Sequence, residues 1–177
     1  MDYIDHSLIL KSCQDDGIFE GYASVFDVID HHQEAVSKGA FVTSLTNWQS
    51  KRQLPKMLWQ HDPKIPVGTW EEIREDDHGL FVRGRLLLDI RQGREAYALL
   101  KAGIVDGLSI GFHLIQSDRL PRGRVLKEVD LREISLVTFA ANPKAKITAY
   151  KQMQAPPDLM GHFLGRLYSL GEVICNQ

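Results

Sequence analysis

The β-patterned runs of this chain are joined by very few residues, and that spacing constrains the fold more than any other feature. Residues 6–13 and 18–26 read as strands across the acidic turn Gln14-Asp15-Asp16-Gly17. In the second run, Ile18, Glu20, Tyr22, Ser24 and Phe26 alternate with Phe19, Gly21, Ala23 and Val25. Residues 56–60 form a short run stopped by His61-Asp62-Pro63, and 67–74 and 80–88 make a hairpin across Glu75-Asp76-Asp77-His78-Gly79. Residues 108–115, 125–129, 131–139 and 147–150 complete the set, with a turn at 118–123 carrying Pro121 and Gly123. A parallel crossover needs about a dozen residues or more. Most of these links are shorter, so the sheet is expected to be mainly antiparallel.

Two stretches read as helices. Gly39 opens one in which Phe41, Leu45 and Trp48 fall at i, i+4 and i+7. Residues 92–102 make the other, with Ala96, Leu99 and Leu100 apolar and Gly103 as C-cap. The fold class is therefore mainly β with helices (α+β), a barrel or sandwich with two or three helices. Gln154-Ala155-Pro156-Pro157 reads as a linker, and Leu159, Phe163, Leu167 and Leu170 follow at helical spacing. The expected organisation is one domain over 1–153, then a Pro-containing linker and an amphipathic tail over 154–177.

Composition narrows the function classes. With 177 residues, 44% hydrophobic and 25% charged, the chain is one globular domain's worth, not disordered, collagenous or coiled-coil. Twenty-one Lys+Arg against twenty-three Asp+Glu give a net charge of −2, which makes no case for nucleic acid or an anionic membrane. The clusters Arg83-Gly84-Arg85 and Arg119-Leu120-Pro121-Arg122-Gly123-Arg124 lack interleaved aromatics and read as solvated turns. No run approaches the roughly 20 apolar residues of a membrane helix. The first residues carry acids where a signal peptide would carry Lys or Arg, so the chain is expected to be soluble and made where it works, or delivered by a partner. The two cysteines, Cys13 and Cys175, sit at opposite ends without CxxC spacing, a reduced, cytosolic-looking inventory.

Three residues could carry chemistry. Gly107-Leu108-Ser109-Ile110-Gly111 fits G-x-S-x-G, but a helix precedes it and a strand follows, the reverse of a nucleophile elbow. An esterase of that type would also need a parallel sheet and a histidine after the serine. The bland alternative is a Gly-flanked strand start. His61 ends a short run, where a loop could present it as a general base, or where it is a surface residue before an Asp-Pro turn. Glu133 opens the apolar run Ile134-Ser135-Leu136-Val137-Thr138-Phe139, and alternation places Glu133, Ser135 and Val137 on one face. A buried carboxylate there needs a partner, whereas an exposed one would pair with Arg132 or Arg85. Asp106 and Asp130 compete for the same role. The order His61, Ser109, Glu133 matches none of the three familiar triad orders.

Five blocks together carry more than any one of them. Gly21-Tyr22-Ala23-Ser24-Val25-Phe26, Gly39-Ala40-Phe41 and Leu58-Trp59-Gln60-His61-Asp62 come first. Gly107-Leu108-Ser109-Ile110-Gly111-Phe112 and Glu133-Ile134-Ser135-Leu136-Val137-Thr138 with Ala141-Asn142-Pro143-Lys144-Ala145 follow. In this order, over roughly 17–150, they resemble the phage prohead proteases, capsid-maturation serine peptidases of the Hong Kong phage type. The resemblance implies a herpesvirus-protease-like closed antiparallel β-barrel flanked by helices. It implies Ser109 as nucleophile, His61 as base and Glu133 as third member, with no cofactor. The oxyanion donors are then sought in the backbone of Ala141 and Asn142. The implied partner and substrate is the major capsid protein with its scaffold segment, cut inside the prohead in the host cytoplasm together with the protease itself. A homo-oligomer is compatible with it. The rival reading is a catalytically inactive capsid-assembly or scaffold-binding protein. The polar loop from Asp30 to Lys38 departs from the family pattern, and adjacent loop histidines such as His31 and His32, even beside Asp30 and Glu34, make a poor metal site, so no metal is expected. The amphipathic tail over 158–177 either packs back on the barrel or docks on another chain; the docking reading has it recruit the enzyme to the immature capsid and be lost by self-cleavage in the linker.

Overall fold

Alternation in the sequence becomes two-sidedness in the sheet. The computed structural model describes residues 16–150. The expected strand over 6–13, both cysteines, the linker and the amphipathic tail lie outside the described residues. The strands are β1 (Ile18–Val25), β2 (Glu34–Val36), β3 (Lys56–Trp59), β4 (Asp62–Glu75), β5 (Gly79–Leu86), β6 (Gly107–Arg119), β7 (Arg124–Val137) and β8 (Ile147–Tyr150). The helices are α1 (Val42–Ser50) and α2 (Arg91–Lys101). The eight strands form one sheet in the order β2-β7-β3-β4-β5-β1-β8, with β6 also paired to β7.

Most pairings are antiparallel, as the short links require, but β2 and β3 both run parallel to β7, at different heights. The chain between β3 and β7 is long enough for such a return. Residues 125–129 and 131–139, expected as two strands, are one continuous strand, because Asp130 stays extended and pairs with His113. Strand β4 starts earlier than expected and contains Pro63 and Pro66, which fall where the β3–β4 register is irregular, a place where a strand tolerates proline.

The expected closed barrel is not formed. Strands β6 and β8 are joined only by the isolated bridge Gly107↔Lys146, with Leu108 N–H donating to Ala145 O and Ile147 N–H to Asp106 O. The preceding turn contains Pro143, which has no N–H, and β8 is four residues long, so no ladder extends from the bridge. The sheet stays open.

Its inner face packs the core. Leu108, Ile134, Leu136, Leu80 and Phe19 are each 0% exposed. Phe19 meets Trp70 edge to face at 5.6 Å. Each such side chain contributes about 1.5–3 kcal/mol of burial. Helix α2 turns Ala96, Tyr97 and Leu100 inward and ends at Gly103, whose φ of +67° fits the expected C-cap. Helix α1 is fixed mainly by hydrogen bonds. Glu75, at the end of β4, accepts from the amides of Gly39 and Phe41 before the helix. Leu131 of β7 accepts from Trp48 Nε1 at 2.8 Å, and its N–H donates to Ser44 Oγ at 2.9 Å. That explains why Ser44 is the buried residue of α1 while Leu45 and Trp48 of the expected stripe are only half-buried.

Candidate active site

The outer face of β6 and β7 carries the polar residues that alternate with the core. Register sets Ser109 opposite Ser135 and Gly111 opposite Glu133, so all four share one face. Leu108 and Ile134 point the other way, into the core. Ser109 therefore sits within a regular strand, 8% exposed, and not on a strand-to-helix elbow. The antiparallel β6–β7 pair also removes the parallel sheet that an esterase of the G-x-S-x-G type requires.

His61 arrives from the adjoining β3–β4 hairpin. Trp59 pairs with Asp62, which leaves Gln60 and His61 as a two-residue turn with φ of +53° and +62°. Type I′ turns need positive φ at both central residues and normally use Asn-Gly. Gln and His pay about 1–3 kcal/mol each to be there, and such strain persists only where the surroundings enforce it. They do. Gln60 N–H donates to Leu136 O at 2.9 Å, its side-chain amide donates to Thr138 Oγ1 at 2.8 Å, and His61 N–H donates to Ser135 Oγ at 3.1 Å.

The His61 ring then meets Glu133: Nδ1 lies 2.6 Å from Oε1. An ionised carboxylate only accepts, so in the neutral ring paired with it Nδ1 carries the proton and Nε2 the lone pair. The other oxygen, Oε2, accepts from Ser135 Oγ at 2.6 Å. The hydrogen bond to Glu133 raises the His61 pKa above its ordinary value of about 6.5, against partial desolvation, which lowers it. The Glu133 side chain is 13% exposed and that of His61 43%. The rivals are engaged elsewhere: Asp106 with Lys146 at 2.7 Å, Asp130 with Arg132 at 3.3 Å. Neither arginine proposed as a partner for Glu133 takes it, since Arg85 pairs with Glu71 and Arg132 with Asp130.

Ser109 and His61 line one cavity of about 310 Å³, with Gly111, Ala141 and Asn142. No hydrogen bond joins Ser109 to the His61 ring in this structure. The 141–142 turn is tied by its carbonyls and the Asn142 side chain. His31 N–H donates to Ala141 O, Ala145 N–H to Asn142 O, and Asn142 Nδ2 to Val25 O. The amides of Ala141 and Asn142 donate to no other described residue. The 30–34 loop spends its acids on structure: Asp30 Oδ1 accepts from the amides of His32 and Glu34, and Glu34 pairs with Arg124. Ser135 is the residue that sequence reasoning passed over, although alternation had placed it beside Glu133.

The family described as caudovirus prohead serine protease matches residues 6–158. The prohead protease of Enterobacteria phage HK97 is 40% identical over 141 residues, 77% of this chain and 61% of that protein. The capsid polyprotein of Pseudomonas phage PAJU2 is 33% identical over 113 residues, 59% of this chain and 17% of that protein. The chain thus spans less than two thirds of the length of either relative. Among solved structures, the bacteriophage T4 capsid assembly protease matches with a TM-score of 0.58 at 15% identity, over 68% of this chain and 80% of that one. KSHV protease, in complex with a hexapeptide phosphonate inhibitor, matches with a TM-score of 0.50 at 14% identity, over 86% of this chain and 76% of that one. At such identities the likeness is one of fold.

Proposed function

This chain belongs to the caudovirus prohead serine protease family, and from that premise we propose that it is a serine endopeptidase of capsid maturation whose nucleophile is Ser109. The observation that carries the reading is the 2.6 Å hydrogen bond to Glu133 from His61, which lines the same cavity as Ser109. In this mechanism His61 Nε2 takes the Ser109 proton as Oγ attacks the scissile carbonyl. Glu133 holds the ring in the tautomer with Nδ1 protonated and stabilises the imidazolium that forms. The amides of Ala141 and Asn142 receive the developing oxyanion, a role that suits a turn whose carbonyls are tied and whose N–H groups are free for substrate. The chemistry needs no metal.

The proposed substrate is the scaffold portion of the major capsid protein, cut within the prohead in the host cell, along with the protease itself. The likeness to a capsid polyprotein supports a capsid protein as the partner. Co-expression with that capsid protein tests it: the parent should shorten the capsid protein, and Ser109→Ala should leave it at full length. A serine-reactive phosphonate should label the parent alone, and a chelator should change neither result. Unshortened capsid protein with the parent would favour the inactive assembly-protein reading.

A further inference from the structure

Ser135 is 0% exposed and spends its hydroxyl twice. It donates to Glu133 Oε2 at 2.6 Å and accepts from the His61 amide at 3.1 Å. With the bond from His61 Nδ1 to Glu133 Oε1, this closes a ring of three hydrogen bonds through His61, Glu133 and Ser135. A hydroxyl has one donor and two acceptor sites, so a single atom can serve both ends. Each end needs holding. The terminal torsion of a glutamate is broad and roughly two-fold, leaving the carboxylate free to turn. His61 stands at positive φ, a conformation it would leave if unrestrained.

The space for this carboxylate is supplied across the strand. A methyl group added at Gly111 would lie 2.2 Å from Glu133 Oε1, so the acid rests over the bare backbone of β6. The second glycine of the Gly107-Leu108-Ser109-Ile110-Gly111 motif thus has a steric reason unconnected with an elbow.

We propose that Ser135 is a positioning residue, which holds the Glu133 carboxylate and the His61 backbone in one arrangement, and that Gly111 is the gap this arrangement requires. The proposal rests on the reading of His61 and Glu133 as catalytic. It adds that their geometry is set by a neutral hydroxyl and a missing side chain rather than by the pair alone.

The test uses the full chain and the rate at which a fluorophosphonate labels Ser109. Ser109→Ala comes first, and labelling equal to the parent would sink the underlying reading, not this one. With that control dead, Ser135→Ala should fold but label about 10–100-fold more slowly at saturating probe. The low-field proton resonance of His61 Nδ1 should vanish in the same variant. Ser135→Thr, which keeps the hydroxyl, should recover most of the rate and the resonance. Gly111→Ala should reproduce the slow labelling and the lost resonance without removing any hydrogen-bonding group. Parent-like labelling and an intact resonance in Ser135→Ala would overturn the proposal, as would equal losses in the Ala and Thr variants. If Ser135→Ala fails to fold, Gly111→Ala decides, and a parent-like rate there overturns it.

Discussion

The two halves of the β6–β7 hairpin are made from the same pair of strands and behave differently. In the inner half, residues 107–111 face 133–137 in unbroken register, and β3 lies along the far edge of β7. In the outer half, residues 112–119 face 124–131 and the register slips at Gly111/Phe112 and twice more further on. Beside the outer half, β7 has the three-residue β2 and helix α1, while β6 carries Leu114 at 37% and Ile115 at 60% exposure. Each half also holds a histidine and a carboxylate. In the inner half His61 Nδ1 is 2.6 Å from Glu133, with the acid nearly covered; in the outer half His113 is 3.9 Å from Asp130, with both side chains open to solvent. The lesson concerns register. Slipping the inner half by one residue would carry Ser109 and Glu133 into the core and bring Leu108 and Ile134 out, so burial on one face locks the polar face in place. The outer half lacks that penalty on β6, and its slips are tolerated.

The largest effect should come from exchanging the two acids. Glu133→Gln should reduce kcat by about 10⁴-fold with the fold intact, because an amide cannot stabilise the imidazolium. Asp130→Asn, the same change in the outer half, should leave kcat within about two-fold, since a screened surface pair at that distance contributes little. Steady-state kinetics of the two variants checks this, and matching losses would mean that the two histidine–acid pairs are equivalent. The proposed base, His61, must be neutral to act, so the parent's activity should rise with pH through a midpoint above about 6.5, and in Glu133→Gln that midpoint should move down.

Stability should divide in the same way. Leu136→Ala, at 0% exposure in the inner half, should cost about 2–5 kcal/mol in denaturant unfolding. Ile115→Ala, at 60% exposure on the outer half, should stay within about 0.5 kcal/mol. Equal costs would mean that the two halves are equally embedded.

The smallest expected effect is on the pH dependence of stability. His61 is raised in the folded protein, so its pairing with Glu133 stabilises fully below the unfolded value of about 6.5 and fades as pH rises through the higher folded value. With the ring 43% exposed the change is small, and it should disappear in His61→Ala. Melting curves across that window check it. A slope of opposite sign would place a different group in control.

Much of this site was legible in the residues. The alternation in Glu133-Ile134-Ser135-Leu136 is a local property, and it placed the acid and Ser135 on one face before any contact was known. The glycines around Ser109 were visible too, but not their purpose, since what Gly111 accommodates comes from the opposite strand. The two-residue turn that presents His61 was hidden for a related reason. Gln-His is a poor choice for positive φ, and only bonds from Leu136, Thr138 and Ser135, more than 70 positions away, enforce it.

The residues alone carried both helices, most strand runs other than β2, the mainly antiparallel pairing and the two faces of β6 and β7. These follow from period, propensity and link length, which act over a few neighbours. Whether the sheet closed, and which acid met His61, were decided by tertiary structure alone. Closure failed because a turn with Pro143 and a four-residue β8 left β6 a single bridge. Glu133 met His61 because parallel pairing of β3 with β7 sets the His61 turn against Ser135 with its ring reaching back to Glu133, while Lys146 and Arg132 took Asp106 and Asp130. Such outcomes depend on register between strands distant in the chain, and no local pattern encodes them.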